Sequence, residues 1–163
     1  MDDPTPSIIL ATTMAHTHVN CLLHVVFSTK ARAPLIAPTW RTALHAMLSN
    51  IAKNRGFPTV IVGGVSDHVH LLMSLPSDQP ISGCMRILKS TSSKWVNDEY
   101  TKDRSFAWQD GYGAFAISPS HKEATVAYIT GQEEHHRVRT FQDEYREFLQ
   151  RNGVTWDERY VWG

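Results

Sequence analysis

Along this chain the apolar pattern switches between a period of two and a period near 3.6 in one set order: strand, helix, strand, strand, helix, strand, then two more helices. Cys21–Phe27 alternates, with Leu23, Val25 and Phe27 on one side and Leu22, His24 and Val26 on the other. After a loop holding Pro34 and Pro38, Thr39 reads as the cap of a helix. One face of it carries Ala43, Leu44, Met47, Leu48 and Ile51, and Gly56 stops it. Thr59–Val65 and His68–Leu75 read as strands joined by a tight turn at Ser66-Asp67. Ile81–Asp98 is a second amphipathic helix with Ile81, Met85, Leu88 and Trp95 inward. Phe106–Trp108 and Ala114–Ile117 form an aromatic strand region around Gly111 and Gly113. Ser120, with Glu123 three residues on, reads as a capping box opening a third helix to about Arg137. Thr140 with Asp143 opens a fourth that ends near Gly153. This order fits an α+β chain: a ferredoxin-like βαββαβ antiparallel sheet with two additional C-terminal helices.

A chain of 163 residues suits one domain, read here as residues 16–163. Residues 1–15 carry two prolines and no periodicity, which reads as a disordered tail or as a start site placed ahead of Met14. Apolar stretches such as Ile8–Ala11 and Leu22–Phe27 fall far short of the roughly 20 residues a membrane helix needs. Cys21 and Cys84 give neither a disulfide framework nor ligand spacing, and read as reduced core thiols of a cytoplasmic protein. The net charge is zero, but it is unevenly spread. Residues 16–97 carry eight Lys/Arg against two Asp/Glu, whereas residues 98–163 carry eight against twelve. A polyanion responds to such a local field rather than to the sum over the chain.

Two stretches carry chemistry. In His68-Val69-His70 the strand period puts both imidazoles on one face, while Val69, Leu71, Met73 and Leu75 point to the other. The apolar set should pack under the two crossover helices, which leaves the imidazoles on the open face. Two neutral imidazoles so placed can share a divalent cation, though they need further ligands, and a surface or hydrogen-bonded pair is the common alternative. Asp67 is either a plain turn residue or an acceptor that fixes a ring tautomer. The third helix stacks Tyr128 above Gln132 at i and i+4, with His135 and His136 following. That is either a simple polar pair, or a phenol nucleophile beside an oxygen ligand. A phenol titrates near ~10, so it needs a cation or a base to become an effective nucleophile. Strand and helix together offer two nitrogens, an amide oxygen and a phenol, a coherent set for phosphoryl transfer.

With these residues in hand, the chain resembles the single-tyrosine HUH transposases of small bacterial insertion sequences and the related proteins associated with repeated extragenic palindromes. The resemblance spans about residues 18–162. It rests on Leu23-His24-Val25-Val26-Phe27-Ser28-Thr29-Lys30, on Gly63-Gly64-Val65-Ser66-Asp67-His68-Val69-His70-Leu71-Leu72, and on Ile87-Leu88-Lys89-Ser90-Thr91-Ser92-Ser93-Lys94-Trp95. It continues in Trp108-Gln109-Asp110-Gly111-Tyr112-Gly113-Ala114-Phe115 and Ala127-Tyr128-Ile129-Thr130-Gly131-Gln132-Glu133-Glu134-His135-His136. It implies cleavage and rejoining of single-stranded DNA at hairpin-containing element ends, with Tyr128 forming a 5′-phosphotyrosine. It also implies that His68, His70 and Gln132 hold Mg²⁺ or Mn²⁺. The family's assembly would be a homodimer in which the tyrosine helix of one copy completes the site of the other. Gly131, inside the tyrosine helix, costs about 1 kcal/mol relative to Ala and would loosen its last turns.

For DNA contacts, Arg86, Lys89, Ser93 and Lys94 line the polar side of the second helix, and Lys30, Arg32 and Arg41 could extend that ridge. Trp108, Tyr112 and Phe115 fit core packing better than base stacking. Two other functions compete. One is a catalytically idle, domesticated hairpin-DNA-binding protein. The other is a zinc hydrolase using His68, His70 and a carboxylate.

Overall fold

The computed structural model describes residues 18–159 together with 161 and 162, so the expected tail at 1–15 lies outside the described residues. Four strands, β1 (Leu22–Ser28), β2 (Thr59–Gly64), β3 (His68–Ser74) and β4 (Gly113–Ile117), form one sheet in the order β2-β3-β1-β4. Every neighbouring pair is antiparallel. The helices are α1 (Pro38–Asn54), α2 (Ile81–Glu99), α3 (Lys122–Thr130), α4 (Gln132–His135) and α5 (Phe141–Arg151). This is the expected βαββαβ sheet followed by C-terminal helices.

The sheet's two faces differ as the alternation requires. Leu23, Val25 and Phe27 of β1 and Val69, Leu71 and Met73 of β3 meet Leu44, Leu48 and Ile51 of α1 and Met85, Leu88 and Val96 of α2 in the main core. On the other face Val26 and Phe115 pack with Phe141, Tyr145 and Leu149 of α5 in a smaller cluster. The same face holds His24, His68 and His70, all buried.

Two strand glycines let the C-terminal helices approach that second face. A Cβ on Gly63 of β2 would fall 2.4 Å from the carbonyl oxygen of Ile129 in α3. One on Gly113 of β4 would fall 2.8 Å from the Tyr145 ring of α5. The helix that carries Tyr128 thus lies almost backbone to backbone on the sheet, and its buried side chains are Thr125 and Ile129.

Several local expectations need correction. α1 starts at Pro38, not after Thr39, because proline's fixed φ and missing N–H suit a first helical position. Ser120 does not cap α3; its hydroxyl meets those of Ser118 and the ring of His121 instead. The third helix does not run to Arg137. It stops at Thr130, and Gly131 separates it from the single turn of α4. Phe106–Trp108 is no strand. Trp108 makes one isolated bridge to Thr29, and both aromatics are buried in the core. Thr140 does cap α5, accepting from the Asp143 amide at 3.3 Å. Both cysteines are free, and no described helix is long and apolar enough to cross a membrane.

Candidate active site

β3 brings the two histidines to the middle of the second face. Register pairs His70 with Val26 on one side and Gly63 on the other, and pairs His68 with Ser28. α3 lies over β2 and β3, and α5 covers β1 and β4, so the imidazoles sit in the seam between them. Neither imidazole is exposed to solvent.

Each ring is held from behind. His68 Nδ1 lies 2.7 Å from Asp67 Oδ1, so that nitrogen carries the proton and Nε2 turns a lone pair to the seam. Burial alone would raise the Asp67 carboxyl, but the His68 hydrogen bond and the nearby His68 and His136 hold it below its ordinary value. His70 Nδ1 lies 2.9 Å from Nε2 of His24. Burial pulls His24 down to about 4, and it takes His70 well below the usual imidazole range, with His68 next to it adding to the effect. His70 is therefore neutral near pH 7, as a ligand must be.

The tyrosine helix delivers its phenol to the same place. The Tyr128 ring stands edge-on to His70 and His24, with centroids 5.8 and 5.9 Å away. Phe148 of α5 meets Tyr128 and His24 edge-on at 5.7 and 5.0 Å. Tyr128 stands here beside the histidines of its own chain. Its ring lines a cavity of about 740 Å³ with His24, His136, Arg139, Glu144 and Arg151.

Gln132 is buried near the same point. Its amide nitrogen donates to Glu144 Oε1 and to the Tyr128 carbonyl, each at 3.4 Å, and its Oε1 lies 3.1 Å from His136 Nε2. Three further groups converge there that the sequence reading did not single out: His24, His136 and Glu144. Burial, with Glu147 and Asp67 nearby, pushes the Glu144 carboxyl up to about 8. Among the described residues, His68, His70, His136 and Glu144 place donor atoms within 4.8 Å of one another. Glu144 had a visible signal. Phe141, Tyr145, Phe148 and Leu149 mark an apolar stripe, and Glu144 sits on it where a carboxylate is out of place.

The basic residues separate. Arg86, Lys89 and Ser93 share a cleft of about 430 Å³ with Trp108, Asp110 and Tyr112. Lys89 donates to the carbonyls of Gln109, Asp110 and Gly111, and burial lowers its ammonium to about 8. Lys94 pairs with Asp98, and Arg41 with Glu133, each at 2.5 Å. Arg32 stands over the Trp162 ring at 5.4 Å, near Asp67 and His136. Lys30 is exposed. Trp108 and Phe115 are buried, as core packing requires.

A histidine pair on the face of a βαββαβ sheet opposite the two crossover helices, with a tyrosine helix folded over it, is the arrangement the resemblance implied. Comparison supports the class: residues 17–132 match the family of IS200-like transposases, and the chain belongs to that family. It is 28% identical over 105 residues to the transposase for insertion sequence element IS200 of Salmonella typhimurium, covering 61% of this chain and 68% of that one. With the ISDra2 transposase TnpA of Deinococcus radiodurans it shares 25% over 114 residues, 67% of this chain and 81% of that one. Two solved structures share the fold, both at less than a quarter identity. One, from Deinococcus radiodurans R1 and assigned as a transposase, has a TM-score of 0.59 at 22% identity and covers 73% of this chain and 96% of that one. The other is a REP-associated tyrosine transposase bound to a REP hairpin, with a TM-score of 0.56 at 17% identity over 76% of this chain and 73% of that one.

Proposed function

We propose that this transposase cleaves and rejoins single-stranded DNA at hairpin-bearing element ends through a covalent bond between Tyr128 and a 5′ phosphate. The observation that carries this reading is a set of orphaned atoms. Nε2 of His68, Nε2 of His70, the Tyr128 hydroxyl and Glu144 Oε2 are all buried without a hydrogen-bond partner. Buried polar atoms are almost always satisfied, so four orphans in one seam point to a ligand. Their chemistry fits a divalent cation. His68, His70 and Gln132 would hold Mg²⁺ or Mn²⁺, and a bound ion would polarise the scissile phosphate and offset the charge that develops on it.

The chain's own residues do the rest. The packing of Tyr128 against His24 and Phe148 fixes the phenol beside the histidines. The phenolic oxygen attacks phosphorus, the bond from phosphorus to the 3′ oxygen breaks, and the 3′ hydroxyl leaves. The proton lost by the phenol balances the one gained by that hydroxyl. A 3′ hydroxyl later reverses the step on the phosphotyrosine, so no nucleotide cofactor is consumed. Lys30, Arg32, Arg41, Arg86, Lys89, Ser93 and Lys94 are the proposed DNA contacts. Arg86 and Ser93 reach the backbone from the cleft on α2, while Lys89 orders the loop opposite. The functional unit is a homodimer acting on DNA in the cytoplasm. Tyr128 rests on its own chain's histidines here, and trading α3 between two copies would give the arrangement completed in trans.

The test is incubation of the full chain with single-stranded element-end oligonucleotides and Mg²⁺, Mn²⁺ or EDTA, followed by denaturing gels and mass mapping. A covalent species mapped to Tyr128, absent in EDTA, is expected. Hairpin binding without an adduct would establish the idle DNA-binding reading instead. Zinc-dependent hydrolysis indifferent to Tyr128 would establish the hydrolase.

A further inference from the structure

The family match ends at residue 132. Within it, the candidate ion donors are two imidazoles and a neutral amide, a weak set for a divalent ion. We propose that the segment beyond it adds two ligands, His136 and Glu144, so that the ion is held by three imidazoles and a carboxylate with Gln132 beside them. This rests on the metal reading above.

Three observations carry it. The first is spacing. Glu144 Oε2 lies 3.3 Å from His136 Nε2, 3.7 Å from His70 Nε2 and 3.9 Å from His68 Nε2. Two atoms bound about 2.1 Å from one ion stand roughly 3.0 to 3.4 Å apart when adjacent and ~4.2 Å apart when opposite, so four donor atoms that lie within 4.8 Å of one another need to close by about an ångström or less. The second is orientation. His136 Nδ1 faces the Arg139 carbonyl at 3.1 Å, His68 Nδ1 faces Asp67 at 2.7 Å and His70 Nδ1 faces His24 at 2.9 Å. Each ring has its rear nitrogen engaged, which is how ligating histidines are ordinarily held. Nε2 of His68 and His70 is unpartnered, while Nε2 of His136 reaches the same point 3.1 Å from Gln132 Oε1, a contact that an ion shared by His136 and Gln132 would replace. The third is the carboxylate. Glu144 is 6% exposed, and Oε2 has no hydrogen-bond partner. A buried carboxylate is rarely left without a cation, and among the described residues the basic groups within 4 Å of it are the imidazoles of His136, His70 and His68, with no Lys or Arg paired to it. α5 is locked in place around it. Phe141 stacks on His68 at 4.3 Å, and Gln132 grips Oε1. A site of three nitrogens and one carboxylate favours a first-row transition ion such as Mn²⁺ over Mg²⁺. With Gln132 as a fifth donor, an octahedral ion keeps one position for a phosphate oxygen.

The experiment is Mn²⁺ titration of the full-length protein without DNA, read by the electron-spin-resonance signal of free Mn²⁺, with spin-echo spectra to count imidazole nitrogens. The wild type should show three imidazoles and bind Mn²⁺ more tightly than Mg²⁺. Glu144→Gln should weaken Mn²⁺ at least tenfold, and His136→Gln should leave two imidazoles. Glu147→Gln, one turn along, should change affinity less than twofold. Melting in EDTA checks that each variant folds; should Glu144→Gln fail to fold, Glu144→Asp and the nitrogen count still decide. If Glu144→Gln binds Mn²⁺ as the wild type does and two imidazoles are counted, while His70→Ala loses the ion, the added ligands are refuted and the simpler metal site stands. If the wild type takes up no ion, the metal reading itself falls, and this inference with it.

Discussion

The two faces of one sheet are buried to a similar depth and made of opposite materials. Val25, Val69, Leu71 and Leu44 are wholly buried on the α1/α2 side, as are His68 and His70 on the other. On the first side nearly every side chain is apolar, the buried Ser92 hydroxyl being satisfied by Trp108, and burial is their contribution, roughly 1.5–3 kcal/mol for each large aliphatic group. On the second, polar atoms are taken from water and four of them are left unsatisfied. Burial there costs stability, and such a cost persists where it serves binding or chemistry. The strand period makes the arrangement possible, because adjacent residues of one strand can serve the two purposes without interfering.

That contrast can be broken by substitution. The largest effect expected is from Tyr128→Phe. It should abolish the covalent DNA species on denaturing gels while leaving the melting temperature unchanged or slightly raised, since the hydroxyl removed has no partner. An adduct that persists would take Tyr128 out of its role. Next, His68→Ala combined with His70→Ala should abolish cleavage and spare the far-UV circular dichroism spectrum; full wild-type activity in EDTA would defeat the metal assignment. On the opposite face, Phe27→Ala should cost about 3–5 kcal/mol in urea unfolding, with any loss of cleavage following the folded fraction. Gly63→Ala should cost about 1–3 kcal/mol by overpacking, and should lower adduct yield by lifting α3 off the sheet.

The smallest effect concerns pH. His45 of α1 is lowered to about 4, first by burial and then by Arg41, so the fold prefers its neutral form. The unfolded chain takes the proton near ~6.5, so stability present above that pH is lost as pH falls toward 4. After allowance for partial solvent access the effect is at most about 2 kcal/mol. His45→Gln should flatten the decline in unfolding free energy between those values, and an unaltered slope would count against it.

How much of this was legible beforehand follows from the range of each signal. The strand alternation in Leu22–Phe27 and His68–Leu75 placed the two faces correctly, because period is local and face assignment follows from it. Tyr128 and Gln132 were legible as an i, i+4 pair for the same reason. Caps were read less well. Ser120 had the right chemistry, but Ser118 and His121 compete for its hydroxyl, and only the fold shows that. Phe106 and Trp108 have strand-forming side chains but are drawn into the core, where Trp108 donates to Ser92 at 2.9 Å. His24, His136 and Glu144 were given no role because they reach the seam from β1, from beyond a helix break and from α5, and only the fold shows that these three elements meet there.

The thin seat beneath α3 has an energetic consequence. Thr125 and Ile129 are the only buried side chains of that helix, against five each in α1 and α2. Peeling it away uncovers little more than one aliphatic group, on the order of 1.5–3 kcal/mol of apolar contact. In the proposed homodimer a second copy would offer an identical berth, so passing Tyr128 from one subunit to its twin would re-form what it breaks. The helix that carries Tyr128 is thereby among the cheapest parts of the molecule to move.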